Sequence, residues 1–256
     1  MALHEFTMYV DDVDIADYNM KLQKYEVQSY ATRKTTGIDI PGAHGTQAVP
    51  SALASSGFTV WLICADTDVD SVTTKIREFF AFIYSVSSSR RIVFSDDETI
   101  IRWAILEAPE KHRVVNGQDG AFAELRLSFL MLDPFMYDCE TSKIVNDTNH
   151  GTQLIVDNEA FECPAKFRIE NTGLSTVTDI SLTVNDEVVN FSCSLNPGDI
   201  LILDTEEYEV TLNGEPRLEY WSGEMPKLKN GNNVIVQQNA QQSKLLLFIE
   251  FTKQWV

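Results

Sequence analysis

The sequence lacks any apolar run that approaches the roughly 18 to 20 residues needed to cross a bilayer. Its first residues, Met1 to Phe6, do not combine a basic region with an apolar block, so we expect no secretion signal. It also has no internal repeat and no low-complexity run. With 44% apolar and 23% charged residues in 256, the chain is expected to be soluble and folded, with no membrane insertion.

Cysteine and histidine are scarce and scattered. The four cysteines stand at 64, 139, 163 and 193 without a C-x-x-C pair, and the four histidines share no ligand spacing. A structural zinc site and a disulfide framework are therefore not expected, and we predict no metal and no cofactor. Cys64 and Cys193 alternate with apolar neighbours, which is typical of buried strand residues.

Three aspartates, Asp66, Asp68 and Asp70, alternate like the first half of an EF-hand calcium loop. The second half fails, because Ser71 and Arg77 occupy the positions that require glycine and a bidentate glutamate. Capping of a following helix is the better interpretation of this cluster.

Catalytic motifs are missing as well. There is no G-x-S-x-G nucleophile elbow, and the glycine turn at 40–45 has neither the spacing nor the lysine of a phosphate loop. The 38 Asp and Glu residues supply many accidental carboxylate pairs, so they do not identify a glycosidase. We predict that the protein is not an enzyme, and keep a glycan hydrolase as the third and least favoured hypothesis.

The charge balance is acidic in both halves. Lys and Arg number 20 against 38 Asp and Glu, a net charge of −18, of which residues 1–138 carry −8 and residues 139–256 carry −10. An acidic surface disfavours ordinary duplex binding, because phosphate affinity depends on cations that displace counterions. Solubility alone accounts for such a charge. A more specific alternative is an acidic protein surface along which nucleic acid moves without binding.

Residues 1–138 combine strands with one helix. Apolar side chains recur at the helical period between about 70 and 85. The predicted buried face of this helix consists of Val72, Ile76, Phe79, Phe80 and Ile83. Either Asp68 or Asp70 can cap its first turn. A further strand is predicted at 58–65, and the strands expected to receive the helix lie at 91–94, 99–106 and 121–131.

Residues 139–256 show only strand patterns, separated by turns rich in Asn, Gly, Asp and Pro. Alternating apolar side chains predict strands near 165–169, 180–184, 188–195, 200–203, 208–212, 234–236 and 244–255. Seven or eight strands at this spacing favour a two-sheet β-sandwich of the jelly-roll or lectin type.

The two halves meet where an alternating strand runs into a proline. We call Asp133, Pro134, Phe135 and Tyr137 the joint motif. Because a proline restricts both its own backbone and that of the preceding residue, we predict that this motif is the joint between a domain at 1–138 and a domain at 139–256.

The joint motif resembles the D-P-F-x-Y sequence that ends the first domain in the distal tail protein (Dit) family of long-tailed, non-contractile bacteriophages. An I-P-G-x-x-G turn typical of that family is matched at 40–45, although Ala43-His44 stands where a basic residue is expected. Further family turns are matched by Gly198-Asp199, Asn213-Gly214 and the P-x-L-x-x-G-x-N sequence from Pro226 to Asn233. The resemblance covers nearly the whole chain.

The resemblance implies a mainly β protein, with an N-terminal β-sandwich or barrel-like domain carrying one α-helix and a C-terminal galectin-like (jelly-roll) β-sandwich. It implies a structural virion protein that forms a homo-hexameric ring at the distal end of the tail tube, through which DNA passes without specific binding. The implied partners are the tail tube protein, the tail-tip (tail-associated) protein and the receptor-binding protein. The implied location is the virion tail tip, after assembly in the host cytoplasm.

The alternative hypothesis is a carbohydrate-binding module that recognises host cell-wall glycans through the C-terminal sandwich. Tyr220 and Trp221 stand in a glycine- and proline-flanked segment and could form an aromatic platform for a sugar ring. Half-buried packing at a sheet edge is the other interpretation of this pair.

Overall fold

The protein is described by a computed structural model that covers residues 6–27, 36–39, 46–49, 53–109, 113–118, 120–148 and 151–256. It divides into two compact units, Met1–Tyr137 together with Val256, and Asp138–Trp255. Each unit has its own hydrophobic core. None of the helices that the structure describes is long and apolar enough to span a membrane.

The first unit is built from strands with a single described α-helix. Its elements in chain order are β1 (Met8–Val10), β2 (Val13–Asp14), a 3-10 turn (Ile15–Tyr18), β3 (Met20–Val27), β4 (Thr36–Asp39), β5 (Thr46–Val49), β6 (Ser56–Asp66), α1 (Val69–Ile83), β7 (Arg90–Phe94), β8 (Asp97–Pro109), β9 (Val114–Gly117), β10 (Gly120–Met131) and β11 (Met136–Asp138).

The main sheet of this unit follows the order β2-β1-β7-β8-β10-β6-β3, with β9 paired to β10. Strands β6 and β10 pair antiparallel along their whole length, from Ala121 opposite Asp66 to Met131 opposite Ser56. Alternation along β10 buries every second side chain, which confirms the predicted inward face. That face consists of Ala123, Leu125, Leu127, Phe129 and Met131.

Helix α1 lies mainly against β6 and β10, so the predicted contact with 121–131 is confirmed, whereas the contact with β6 was not predicted. It begins where predicted, with the Asp68 carboxylate accepting the Ser71 backbone N–H at 2.8 Å, and ends two residues earlier than predicted, at Ile83. Its buried residues are Val72, Ile76, Phe79 and Ile83, while Phe80 is half-buried. The buried Arg90 side chain then binds the end of the helix, because its guanidinium donates to the carbonyls of Phe82 and Ile83.

The main sheet curls into a barrel-like form. The ring of Tyr25, on the end strand β3, stacks on that of Phe94, on β7, with centroids 3.9 Å apart. Phe58 and Phe129 add a second stacked pair at 5.2 Å inside the same core. A sheet whose end strand reaches a strand near its other end has to close around its core, and here the enclosed volume is filled by aromatic side chains.

The second unit contains strands and a short 3-10 turn, Leu218–Tyr220. Its strands are β12 (Ser142–Thr148), β13 (Gln153–Asn158), β14 (Lys166–Glu170), β15 (Ile180–Val184), β16 (Glu187–Phe191), β17 (Ile200–Asp204), β18 (Glu209–Leu212), β19 (Glu215–Pro216), β20 (Trp221–Gly223), β21 (Gly231–Gln238), β22 (Leu245–Phe251) and β23 (Gln254–Trp255).

Two antiparallel sheets form this sandwich, in the orders β12-β22-β14-β17-β18-β19 and β13-β21-β15-β16-β20. The fold class is confirmed, but the predicted seven or eight strands were too few, because the described part of these two sheets holds eleven. Edge strands account for the difference. Strands β12 and β13 expose Val145 and Ile155 to solvent, and β19 and β20 are too short to show an alternating pattern.

Candidate functional site

The joint motif forms a loop that one carboxylate closes. It follows β10, and Asp133 accepts the Phe135 backbone N–H at 3.1 Å and the Tyr137 hydroxyl through its other oxygen. Pro134 fixes its own φ and keeps Asp133 extended. The D-P-F-x-Y spacing therefore places an acceptor, a rigid residue and two donors within five positions. Its role as a joint between domains stays a prediction.

Tyr220 and Trp221 lie where the 3-10 turn runs into β20, at the edge of the five-stranded sheet. Both rings are half-buried and pack against the core of the second unit. The Trp221 indole N–H is buried and has no hydrogen-bond partner among the described residues. This geometry fits the edge-packing interpretation of the pair, and sugar binding through it stays a prediction.

Two of the family-like turns in the second unit are bonded to each other. Asn213 lies in the left-handed region (φ 54°), and its side-chain amide donates to Asp199 at 2.9 Å. Its side-chain oxygen accepts the Ile200 backbone N–H at 2.9 Å. Hydrogen bonds from Asn213, then from the Asn196 backbone, hold the pKa of Asp199 below its usual range. The G-D and N-G turns thus form one clamp across the start of β17 and the end of β18.

The P-x-L-x-x-G-x-N turn has an equally direct structural role. Leu228 is fully buried, and Gly231 adopts a positive φ of 84°, which favours glycine. Asn233 is fully buried as well. Its side chain donates to the carbonyls of Val156, Lys229 and Gly231 and accepts from the Lys229 backbone and the Asn185 amide. One side chain therefore satisfies the backbone of the whole turn.

The I-P-G-x-x-G turn at 40–45 lies outside the described residues. The strands beside it are described: β4 and β5 pair antiparallel, with Thr36 opposite Val49 and Asp39 opposite Thr46.

Of the three alternating aspartates, Asp68 caps the helix. Asp68 accepts the Ser71 backbone N–H and hydroxyl, and these bonds lower the pKa of its carboxyl group. Asp66 accepts the Thr67 backbone N–H and the Asn19 amide. Across the described parts of the chain, no group of three or more His, Cys, Asp or Glu side chains is arranged to hold a metal ion.

The four cysteines are free thiols, and only Cys139 is exposed. Cys64 and Cys193 are buried, as predicted. Burial raises the pKa of Cys64 to about 11 and that of Cys163 to about 12, so these thiols stay protonated at neutral pH.

The outward face of the six-stranded sheet is charged and internally paired. We call it the ionic face, and its charged members are Lys143, Lys166, Arg168, Glu170, Asp204, Glu209 and Glu250. Lys166 lies 2.8 Å from Asp204, Arg168 lies 2.7 Å from Glu170, and Lys143 lies 3.2 Å from Glu250. Such a ladder is typical of a solvated sheet surface.

The outward face of the five-stranded sheet is almost free of charge. We call it the uncharged face, and its twelve outward positions are Gln153, Ile155, Asp157, Ser181, Thr183, Val188, Asn190, Ser222, Asn232, Val234, Val236 and Gln238. Only Asp157 is charged, and none is aromatic. Cross-strand pairing places Val236, Thr183 and Val188 in one row. Ile155 and Val188 remain 61% and 46% exposed.

Sequence reasoning missed the uncharged face and the hydrogen bonds of Asn233. The face was visible in principle, because polar positions in these strands carry Ser, Thr, Asn and Gln where the neighbouring sheet carries Lys, Arg, Asp and Glu. The Asn233 bonds were not visible, since Val156 and Asn185 lie 77 and 48 residues away along the chain.

The class of protein follows from a family match to the second unit. Residues 160–255 match the family described as "Siphovirus-type tail component, C-terminal domain". The second unit is therefore similar to the C-terminal domain of phage tail components, and the described part of the chain is mainly β.

One relative, compared both by its sequence and by its crystal structure, agrees with this class. The chain is 25% identical over 218 residues to the distal tail protein of Bacillus phage SPP1, across 82% of this chain and 81% of that protein. The crystal structure of SPP1 Dit superposes with a TM-score of 0.77 at 18% identity, covering 98% of this chain and 99% of the other. Together with the family match, these likenesses confirm the predicted resemblance to the distal tail protein (Dit) family.

Proposed function

We propose that the chain is the structural hub at the distal end of a phage tail tube, with no catalytic role. Its first unit forms a hexameric ring on the tail tube protein, and its second unit holds tail-tip and receptor-binding proteins. The observation that carries the proposal is the likeness to the SPP1 distal tail protein over most of both chains. The SPP1 Dit protein is described as a paradigm of the hub adsorption apparatus in phages that infect Gram-positive bacteria.

A ring of this kind is compatible with the charge of the chain. A head-to-tail interface repeated by a six-fold rotation closes on itself, so a single contact type suffices. Six copies at −18 each give −108. An acidic lumen repels phosphates, which lets DNA pass without adhering.

The uncharged face supports a docking role for the second unit. A partner that covers the ionic face has to desolvate several ion pairs, which costs free energy. A partner that covers the uncharged face desolvates one carboxylate, Asp157, at its edge. We assign this face to a protein partner, the receptor-binding or tail-tip protein, because an aromatic platform for sugar is absent from the twelve outward positions.

The size of the face sets the strength of the contact. Five strands spaced about 4.8 Å apart and about six residues long span on the order of 450 Å². Each partner in a standard interface buries roughly 800 Å², so a single face supports a weak contact. Six copies around a ring make the attachment multivalent, which raises the overall affinity without any new contact.

Native mass spectrometry and negative-stain electron microscopy of the purified chain test the ring. We expect a six-copy species and closed rings with a central hole. A chain that stays monomeric at every concentration contradicts the proposal.

A further inference from the structure

The sequence contains three Asn-Gly pairs, Asn116-Gly117, Asn213-Gly214 and Asn230-Gly231. In such a pair the glycine backbone nitrogen can attack the asparagine side-chain carbonyl carbon, because glycine has no Cβ to hinder the approach. The attack requires the side chain to rotate freely toward its own backbone. An asparagine side chain that is hydrogen-bonded elsewhere is therefore protected from this attack. The three pairs differ in whether their asparagine is bonded in this way.

Two of the three asparagines are held. Asn213 uses both of its side-chain groups, donating to Asp199 and accepting from Ile200, each at 2.9 Å. The Asn230 amide donates to the carbonyls of Glu159 at 3.1 Å and Ala160 at 2.8 Å. Both are exposed to solvent, so the protection comes from these bonds and not from burial.

Asn116 is exposed, and its side chain makes no hydrogen bond within the described residues. It lies in β9 opposite Ala121, and the next pair, Gly117 opposite Gly120, is the last rung of the β9–β10 ladder. Among the described residues β9 is a four-residue edge strand that pairs only with β10, and such an exposed edge opens at lower free energy than strands inside the sheet. Asn116 therefore combines a free side chain with a backbone that opens easily.

We propose that Asn116-Gly117 is the site at which the folded protein deamidates and isomerises. The Gly117 nitrogen, after losing its proton, bonds to the Asn116 side-chain carbonyl carbon, and the carbon–nitrogen bond to the side-chain amide breaks. Ammonia leaves and a cyclic succinimide remains. Water then opens the ring at either carbonyl, giving aspartate or isoaspartate, with no oxidant or reductant involved.

The product changes the hairpin through its backbone more than through its charge. Asn116, Ala121 and Asp66 share one row across β9, β10 and β6. A new carboxylate at 116 lies about 10 Å from Asp66, two strand spacings away, a distance comparable with the Debye length in physiological salt. Repulsion is therefore weak. Isoaspartate instead adds a carbon to the main chain, which breaks the register of the last rungs of β9 with β10.

Peptide mapping by mass spectrometry, after incubation of the full chain at mildly alkaline pH, measures the rate at each pair. If one protecting hydrogen bond has to break before the attack, deamidation is roughly 5-fold slower than at an unbonded asparagine. If two bonds have to break, it is about 30-fold slower. We expect Asn116 to deamidate about 30-fold faster than Asn213 or Asn230 in the folded chain, and the three rates to converge in urea. Equal rates in the folded chain overturn the proposal.

Two variants sharpen the test. Asn116→Gln removes the site, because a six-membered ring closes far more slowly, and the fold is checked by circular dichroism. Asp199→Ala frees the Asn213 amide, so the Asn213 rate should rise roughly 5-fold while the Asn116 rate stays the same. An unchanged Asn213 rate refutes protection by hydrogen bonding.

Discussion

The two sheets of the second unit share one core but present opposite surfaces. The ionic face pairs its charges across neighbouring strands, as Lys166 does with Asp204 and Arg168 with Glu170. The uncharged face replaces these charges with hydroxyl, amide and β-branched side chains, and leaves Val188 46% exposed. Both faces lie on a domain whose sequence carries −10, so an uncharged surface there is a departure that solubility does not explain.

Buried asparagines hold turns beside both sheets. The turn before β21 in the five-stranded sheet depends on the buried side chain of Asn233. Directly after β14 in the six-stranded sheet, the buried Asn171 amide donates to the carbonyls of Ser175 and Leu195. The two sheets therefore differ in the charge of their outward faces and not in the use of buried amides.

Replacement of Asn233 is expected to have the largest effect. Asn233→Ala removes five hydrogen bonds and leaves buried carbonyls without partners, so we expect about 3 kcal/mol of destabilisation. Urea unfolding combined with hydrogen exchange of β21 peptides measures it. The control is Asn232→Ala, at the exposed neighbouring position, which should cost less than about 0.5 kcal/mol. Equal losses of stability in the two variants contradict the structural role of the Asn233 hydrogen bonds.

Docking should fail when a charge is placed on the uncharged face. Val188→Glu buries an unpaired carboxylate beneath the partner, so we expect binding to weaken by about 2 kcal/mol, or roughly 30-fold, with unchanged stability of the chain. Biolayer interferometry with the receptor-binding and tail-tip proteins of the same phage measures this. Val145→Glu, on the edge strand of the other sheet, is the matched control and should bind normally. Loss of binding in both variants rules out a face-specific contact.

The ion-pair ladder should contribute little, and only within a defined pH window. Burial raises the pKa of Asp204, but bonds from Lys166 and the Glu206 and Glu207 backbones outweigh it and lower the pKa overall. The hydrogen bond to Asp204 raises the pKa of Lys166. The ion pair therefore stabilises the fold fully between pH values of about 4 and about 10, which are the pKa values of Asp and Lys in the unfolded chain. This stabilisation is lost as the pH falls through the lowered pKa of folded Asp204 or rises through the raised pKa of folded Lys166.

Lys166→Met should lower stability by less than about 1 kcal/mol at neutral pH, and by progressively less as the pH falls below about 4. Urea unfolding across this range measures it. A loss that does not shrink as the pH falls assigns the effect to packing of the side chain instead of charge.

Salt should have the smallest effect on docking. Because the uncharged face carries a single carboxylate, the affinity for its partner should change by less than about 2-fold between low and high salt. Titration calorimetry at two salt concentrations measures this. A strong salt dependence places the contact on the ionic face.

Much of this architecture was predictable from local patterns. The alternation in β10 and β22 and the helical period of α1 each predict which residues are buried, because burial repeats at a fixed spacing in strands and helices. The edge strands β12 and β13 were missed because exposed Val145 and Ile155 break that alternation. The short β20 was missed because three residues are too few to show a period.

The candidate site was less predictable, because its parts come together only in the fold. The joint motif and the family-like turns were recognised in the sequence, and the Asp133 bonds are local, but the Asn233 side chain also bonds to residues far away along the chain. The uncharged face joins five strands from distant parts of the chain. Tyr220 and Trp221, chosen for their aromatic rings, remain a prediction for sugar contact.

Immunogold electron microscopy of intact virions, with an antibody raised against this chain, tests most directly whether it is the tail-tip hub. The account predicts gold particles at the end of the tail farthest from the capsid, in a single cluster per virion. Label along the whole tail, label on the capsid or unlabelled virions would contradict it.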